Sequence, residues 1–378
     1  MDKSRTKDVG TVQFVAPYRQ CEAALNATAM ASFVARKLKD VRSYEFKYLT
    51  TDSLSTYCSP FVDSQVYRVV SPREFDYHVR NAKITYWFGN FCGELSSAMG
   101  GASRNCLVAD FTKWDNKAMR ESRRFSTVIM PCQSIADRST TLVSCLDPPV
   151  TVYPGGYRAV APMRHDLLDR DRMAVLLSMC SIGRPENRLA ILRQVEELIK
   201  DRRDLLITLL MDGHSFREEK QYLELFGEKY SDKVLIVNSF SDYEFMNMTA
   251  RNDIFVDLNP INGIGYMLSA ALYSGLVVCG FSQPLYRDIL HDGEYGLLMG
   301  GEPKELGFGF KFVTQDWGRA FKFLNEKLFN VNGVLRWMDR RNHRFSLQPA
   351  LDARVNMFCR MFSYLSSASV KFGEFAEA

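Results

Sequence analysis

Several common classes are excluded by what the sequence lacks. None of its nine cysteines forms a Cys-x-x-Cys pair. An odd count scattered along a long chain argues for reduced, mostly buried thiols rather than a disulfide framework. The five histidines (His78, His165, His214, His291 and His343) are far apart, and no spacing suggests zinc. No metal is expected. There is no stretch of about 18 apolar residues, so no membrane-spanning helix is expected. The opening Met1-Asp2-Lys3-Ser4-Arg5 has no apolar core of a signal peptide, and a cytoplasmic location is the expectation. Short-period repeats and low-complexity segments are also missing.

What is present is a chain of 378 residues, 46% of them apolar. At roughly 100–200 residues per domain, that is enough for two domains with a core each. The net charge of +4 is unevenly spread. Residues 1–158 carry 21 Lys and Arg against 15 Asp and Glu, and the remainder carries 27 against 29. Either this is drift, or the first half meets an anionic partner.

Short apolar runs alternate with helical patterns, which signals an α/β fold with parallel sheets. In the first half, Val12–Ala16, Lys83–Phe88, Cys106–Ala109 and Thr127–Met130 read as strands. Cys21–Leu38 and Gly93–Met99 read as helices. Asp147–Arg164, with Asp147-Pro148-Pro149 and Pro154-Gly155-Gly156, is the best linker candidate. In the second half, strands are expected at Met173–Met179, Asp204–Met211, Lys233–Val237, Ile254–Leu258 and Leu276–Cys279. Leu189, Ile191, Leu192, Val195, Leu198 and Ile199 make a helical stripe. Tyr243–Ala250 and Gly265–Ser274 are further helices. Ligands in such doubly wound sheets sit at the carboxyl ends of the strands.

The second half carries a series of motifs in order. They are Gly183-Arg184, Glu186-Asn187-Arg188, Met211-Asp212-Gly213, Asp242-Tyr243-Glu244-Phe245 and Asn252-Asp253-Ile254-Phe255-Val256. Next come Asn262-Gly263-Ile264-Gly265, Ser274-Gly275-Leu276-Val277-Val278, Asp288, and Asp292-Gly293-Glu294-Tyr295-Gly296-Leu297-Leu298. In order and spacing this resembles the donor domain of GT-B glycosyltransferases, specifically the large retaining family 4, over residues 150–366. The first 150 residues match only in pattern. The resemblance implies two Rossmann-like domains facing each other across a cleft. Residues 1–158 would form the acceptor side and 159–350 the nucleotide-sugar donor domain. A helix in 351–378 would cross back to the first domain.

It also implies a nucleotide-sugar donor, with a UDP-linked one favoured, and no further cofactor. Gly263 and Gly265 precede a helix, so free N–H groups and the helix dipole would face a phosphate. Glycine also permits close approach of the donor to the backbone. Gly183 opens the motif in which Arg184 and Arg188 are the family-matched cations. They would act catalytically by stabilising charge on the leaving diphosphate, unless they serve only in salt bridges. Backbone near Val237, Asn238 and Ser239 would hold the base. The family's two donor-binding Glu positions are Asn262 and Ala270 here. Asn262 can still hydrogen-bond. Tyr266 or Ser269 could take over the ribose. Ile264 completes the loop.

In the first half, Asp110 stands where the family often has His. It is a candidate acceptor base or, equally, a helix N-cap. Tyr18 and Arg19 fill the first loop. Lys113, Trp114, Arg123 and Arg124 belong to a basic patch that is either a solvated helix face or part of a nucleic-acid cleft. An active transferase, with retention implied, is the first expectation. Its acceptor is favoured as DNA carrying hydroxymethylated pyrimidines, as in virus-encoded enzymes, which would place it in a host cytoplasm. A glycan or lipopolysaccharide-type acceptor is the alternative, as is an inactive nucleotide-binding module. A GT-B epimerase shares the fold.

Overall fold

The computed structural model describes residues 10–15, 44–50, 67–69, 72–82, 84–89, 104–109, 125, 127–130, 150–152, 172–180, 182, 184–211, 217–238, 240, 242–259, 265–300, 304–306, 309–311 and 316–344. The chain divides into two compact units, Met1–Tyr157 with Gln348–Ala378, and Arg158–Leu347. The expected helices at 21–38, 93–99 and 351–378 lie outside the described residues.

Among the described residues, the first unit holds seven strands: β1 (Gly10–Val15), β2 (Tyr44–Thr50), β3 (Tyr67–Val69), β4 (Ile84–Gly89), β5 (Arg104–Ala109), β6 (Thr127–Met130) and β7 (Val150–Val152). They form one sheet in the order β3-β2-β1-β4-β5-β6-β7, and each neighbouring pair is parallel. The chain reverses its direction of travel between β1 and β4. Helix α1 (Pro72–Asn81) leads into β4. The Phe14 and Tyr86 rings stack at 5.4 Å between β1 and β4. The Trp87 indole N–H donates to Asn105 Oδ1 at 3.0 Å inside the sheet layer. The Pro- and Gly-rich stretch is not wholly a linker. Its β-branched run Val150-Thr151-Val152 fits a pleated surface and joins the sheet as the edge strand β7.

The second unit holds β8 (Met173–Ser178), β9 (Leu205–Met211), β10 (Val234–Asn238), β11 (Ile254–Asp257), β12 (Val277–Phe281) and β13 (Leu297–Met299). The order is β10-β9-β8-β11-β12-β13, parallel throughout. Its helices are α2 (Pro185–Asp201), α3 (Arg217–Lys229), α4 (Asp242–Arg251), α5 (Tyr266–Tyr273), α6 (Pro284–Ile289), α7 (Trp317–Lys327) and α8 (Val331–Arg344). A small antiparallel ribbon joins β14 (Lys304–Leu306) to β15 (Gly309–Lys311).

The central strands β8, β11 and β12 are buried along their whole length. Such strands read as continuous apolar runs because helices cover both sheet faces. Ile191, Leu192, Val195 and Ile199 of α2 pack on one face with Val175, Leu177, Ile207 and Val256. Asp253 ties the amino edge. Its backbone N–H donates to Ala174 O, and its carboxylate accepts the Ala174 N–H, both at 2.8 Å. The acidic residue of the Asn252–Val256 motif is therefore structural.

Candidate functional site

The second sheet changes winding direction between β8 and β11, so the crevice beyond their carboxyl ends is where a doubly wound sheet binds its ligand. Strand pairing sets Val237, Leu210, Ser178, Asp257, Gly280 and Leu298 side by side in one row near these ends. The row is apolar at its flanks and polar at its centre.

Ser178 and Asp257 are both fully buried. The Asp257 carboxylate accepts on Oδ1 from the Asn259 backbone N–H at 2.9 Å and from Asn259 Nδ2 at 2.7 Å. On Oδ2 it accepts from the Tyr286 hydroxyl of α6. The Tyr286 ring reaches Asp257 by lying over Gly280. A Cβ at Gly280 would fall 2.6 Å from Tyr286 Cε2, so only glycine leaves this path open. Ser178 Oγ and Asn259 Oδ1 are buried and accept no hydrogen bond among the described residues. Cys279, beside Gly280, is buried, and burial pushes its thiol well up, which removes it as a thiolate nucleophile.

Two helices begin at this edge. Helix α5 starts from Gly265, whose φ of 62° and ψ of 24° are left-handed. A Cβ at Gly265 would also meet Ile289 Cδ1 at 2.8 Å and Leu285 Cδ2 at 3.1 Å. The left-handed backbone and the close approach each call for glycine here. Helix α2 starts with Pro185 after an extended Arg184, a position where proline costs no hydrogen bond. Arg184 is exposed, and its carbonyl accepts the Asn187 and Arg188 N–H groups at 3.1 and 3.2 Å.

Not every expected residue reaches a surface. Arg188 is 1% exposed, and its Nε donates to Glu219 Oε1 of α3 at 2.6 Å. The expected free cation is thus a buried partner that ties the first turns of α2 and α3 together. Tyr266 and Ser269 are fully buried within α5, so neither side chain presents a face to a ribose. Helix α5 is enclosed on every side from Tyr266 to Leu272, which explains this. At the edge strand β10, Val237 is half-buried and Asn238 exposed. Gly183, Ser239, Asn262, Gly263 and Ile264 lie outside the described residues. So do Tyr18, Arg19, Asp110, Lys113, Trp114, Arg123 and Arg124. Asp257, Asn259, Tyr286 and Glu219 escaped the sequence reading. The available signal was a carboxylate, Asp257, closing an otherwise apolar central strand.

No protein-family profile and no curated protein matches the sequence. Solved structures match nearly the whole chain. One is Anabaena HepE in complex with UDP and glucose, with a TM-score of 0.60, 13% identity, and 95% of this chain and 100% of that one covered. A UDP-N-acetylglucosamine 2-epimerase from Listeria monocytogenes gives 0.59 at 11%, covering 96% and 98%. Sucrose-phosphate synthase from Thermosynechococcus elongatus gives 0.52 at 11%, covering 94% and 100%. The chain has the GT-B fold. In this GT-B chain the second sheet carries Arg184 and Gly265 at its carboxyl edge. Among the described residues, no cluster of His, Cys, Asp and Glu could hold a metal. No described helix is long and apolar enough to cross a membrane.

Proposed function

We propose that the protein is a glycosyltransferase that moves a sugar from a UDP-linked donor to an acceptor hydroxyl with retention of configuration. One observation carries the reading. The switch point of the second sheet is flanked by the glycine-started helix α5 and by exposed Arg184 at the start of α2. Both features suit a diphosphate. The N–H groups of the helix's first turn and the helix dipole suit its charge, and a guanidinium stabilises the charge that grows as the glycosidic bond breaks. The likeness to a structure holding UDP and glucose supports the same choice of donor. Arg188 acts indirectly, bracing α2 against α3 through Glu219. Backbone near Val237, Asn238 and Ser239 holds the base, and Asn262 with Gly263 meets the donor sugar. Retention rests on the resemblance to the retaining family. There the donor phosphate assists deprotonation of the acceptor, so no carboxylate nucleophile is required.

For the acceptor we propose DNA carrying hydroxymethylated pyrimidines. The excess of basic residues in 1–158 supports an anionic acceptor, with Arg19, Lys113, Trp114, Arg123 and Arg124 as contacts and Asp110 orienting the hydroxyl. Binding to duplex DNA should weaken steeply as salt rises. A flat salt response, or no binding at low salt, removes DNA from consideration.

The donor reading is tested by mixing the protein with a panel of UDP-sugars and acceptors and measuring UDP release. Nucleotide binding without transfer or hydrolysis for any donor would sink it. The likeness to the Listeria epimerase favours a second reading, isomerisation of the donor itself. NMR separates the two. An epimerase equilibrates UDP-N-acetylglucosamine with its epimer without an acceptor, whereas a transferase leaves the sugar's configuration unchanged.

A further inference from the structure

Residues 260–264, which carry Asn262 and Gly263, run between two described anchors, Asn259 and Gly265. Helix α6 reaches both. Tyr286 of α6 donates its hydroxyl to Asp257, and Asp257 accepts both the backbone and side-chain N–H groups of Asn259. Two other α6 residues, Leu285 and Ile289, close on Gly265 from the far end. All three α6 side chains are buried. The polar contacts sit on the row Ser178-Asp257-Gly280, directly beside the switch point.

We infer that Asp257 and Tyr286 are positioning residues. They fix Asn259, ahead of the 260–264 segment, while Leu285 and Ile289 pack against Gly265 after it, so one short helix holds both flanks of the segment assigned to the donor. This rests on the donor reading above. Neither residue needs to touch the donor. A carboxylate is suited to the task because two donors from Asn259 and a third from helix α6 converge on it, and charge-assisted bonds hold geometry better than neutral ones. The ring of Tyr286 is used as a strut across Gly280, which is why the neighbouring strand carries no side chain there.

The test is UDP binding by titration calorimetry on the full chain, with donor KM and kcat from UDP release. Tyr286→Phe keeps the ring in its place over Gly280 and deletes only the hydroxyl. The expected result is a rise of roughly tenfold in UDP Kd and donor KM with kcat within about twofold, the loss of one charge-assisted hydrogen bond. Tyr222→Phe, which removes a hydroxyl donated to Glu196 between α2 and α3, is the control for general loosening. It should leave UDP binding unchanged. If Tyr286→Phe binds UDP as the wild type does, or if both variants weaken it equally, the positioning role is overturned. Should Tyr286→Phe fail to fold, Asn259→Ala, which keeps the backbone N–H bond to Asp257, is read in the same way. If the wild type binds no UDP, the donor reading fails and amide exchange over residues 258–265 decides the clamp. Faster exchange in Tyr286→Phe supports it, and unchanged exchange overturns it.

Discussion

Replacing Gly265 with Ala perturbs the start of α5 in two separable ways. The left-handed conformation at φ 62° costs a residue with a Cβ about 1–2 kcal/mol. The new methyl would also lie 2.8 Å from Ile289 Cδ1 and 3.1 Å from Leu285 Cδ2, and crowding of this kind in a packed core costs about 1–3 kcal/mol. The expected loss is the sum, about 2–5 kcal/mol, read from urea unfolding midpoints at constant m. Gly300→Ala is the matched control, because nothing lies within 4 Å of a Cβ there; its effect should stay within about 0.5 kcal/mol. Ile289→Val removes the very atom that crowds the new methyl. Alone it should cost about 0.5–1.5 kcal/mol, but combined with Gly265→Ala it should cost less, giving a favourable coupling of about 1 kcal/mol. Losses that add within about 0.3–0.5 kcal/mol, or a Gly265→Ala no worse than Gly300→Ala, would refute the account of this turn.

Three further outcomes are expected. The Glu196 carboxyl is held down to about 2 by hydrogen bonds from Tyr222 and Lys229. A depressed carboxylate stabilises the fold above its ordinary value of 4.5 and loses that contribution as pH falls through about 2. Glu196→Gln should therefore cost about 1–2 kcal/mol at pH 7, with the gap to wild type closing between pH 4.5 and 2 in thermal melts; a gap independent of pH contradicts this. Arg188→Met removes the guanidinium that donates to the buried Glu219 carboxylate and should cost about 3–5 kcal/mol in chemical denaturation, whereas Arg188→Met with Glu219→Leu should recover most of it; equal losses in both would mean the pair is not coupled. Arg184→Ala, at an exposed position, should leave stability within about 0.5 kcal/mol while weakening UDP binding roughly tenfold, and unchanged UDP affinity would take Arg184 out of the donor site.

The second sheet is legible in the sequence because its central strands are covered on both faces. Met173–Ser178 and Ile254–Asp257 read as apolar runs, and their ends are misjudged by a residue or so. In the first unit, Tyr44–Thr50 and Tyr67–Val69 escape a search for apolar runs because Glu45, Lys47 and Arg68 interrupt them. The glycine at 265 is legible as a helix start, and the structure adds that its neighbours as well as its backbone demand it. The roles of Arg188 and Asp257 are hidden for a common reason. Their partners, Glu219 and Tyr286, are 31 and 29 residues away, and spacing along the chain says nothing about which buried charges meet. Ser269 and Tyr266 looked available because nothing in the α5 residues themselves shows that the helix lies buried against β11 and β12.

Helix α5 has no outward face from Tyr266 to Leu272. Its eight residues are too few to hold a helix in water by themselves, and from Tyr266 to Leu272 all are inside. It therefore exists only while the sheet beneath it exists. Its leading N–H groups cannot persist in a partly unfolded form, so the anion binding proposed at Gly265 would be lost together with the integrity of the second unit. Any ligand held there protects against global unfolding, raising stability with the logarithm of its concentration over its Kd, and the unfolding midpoint becomes a direct gauge of occupancy.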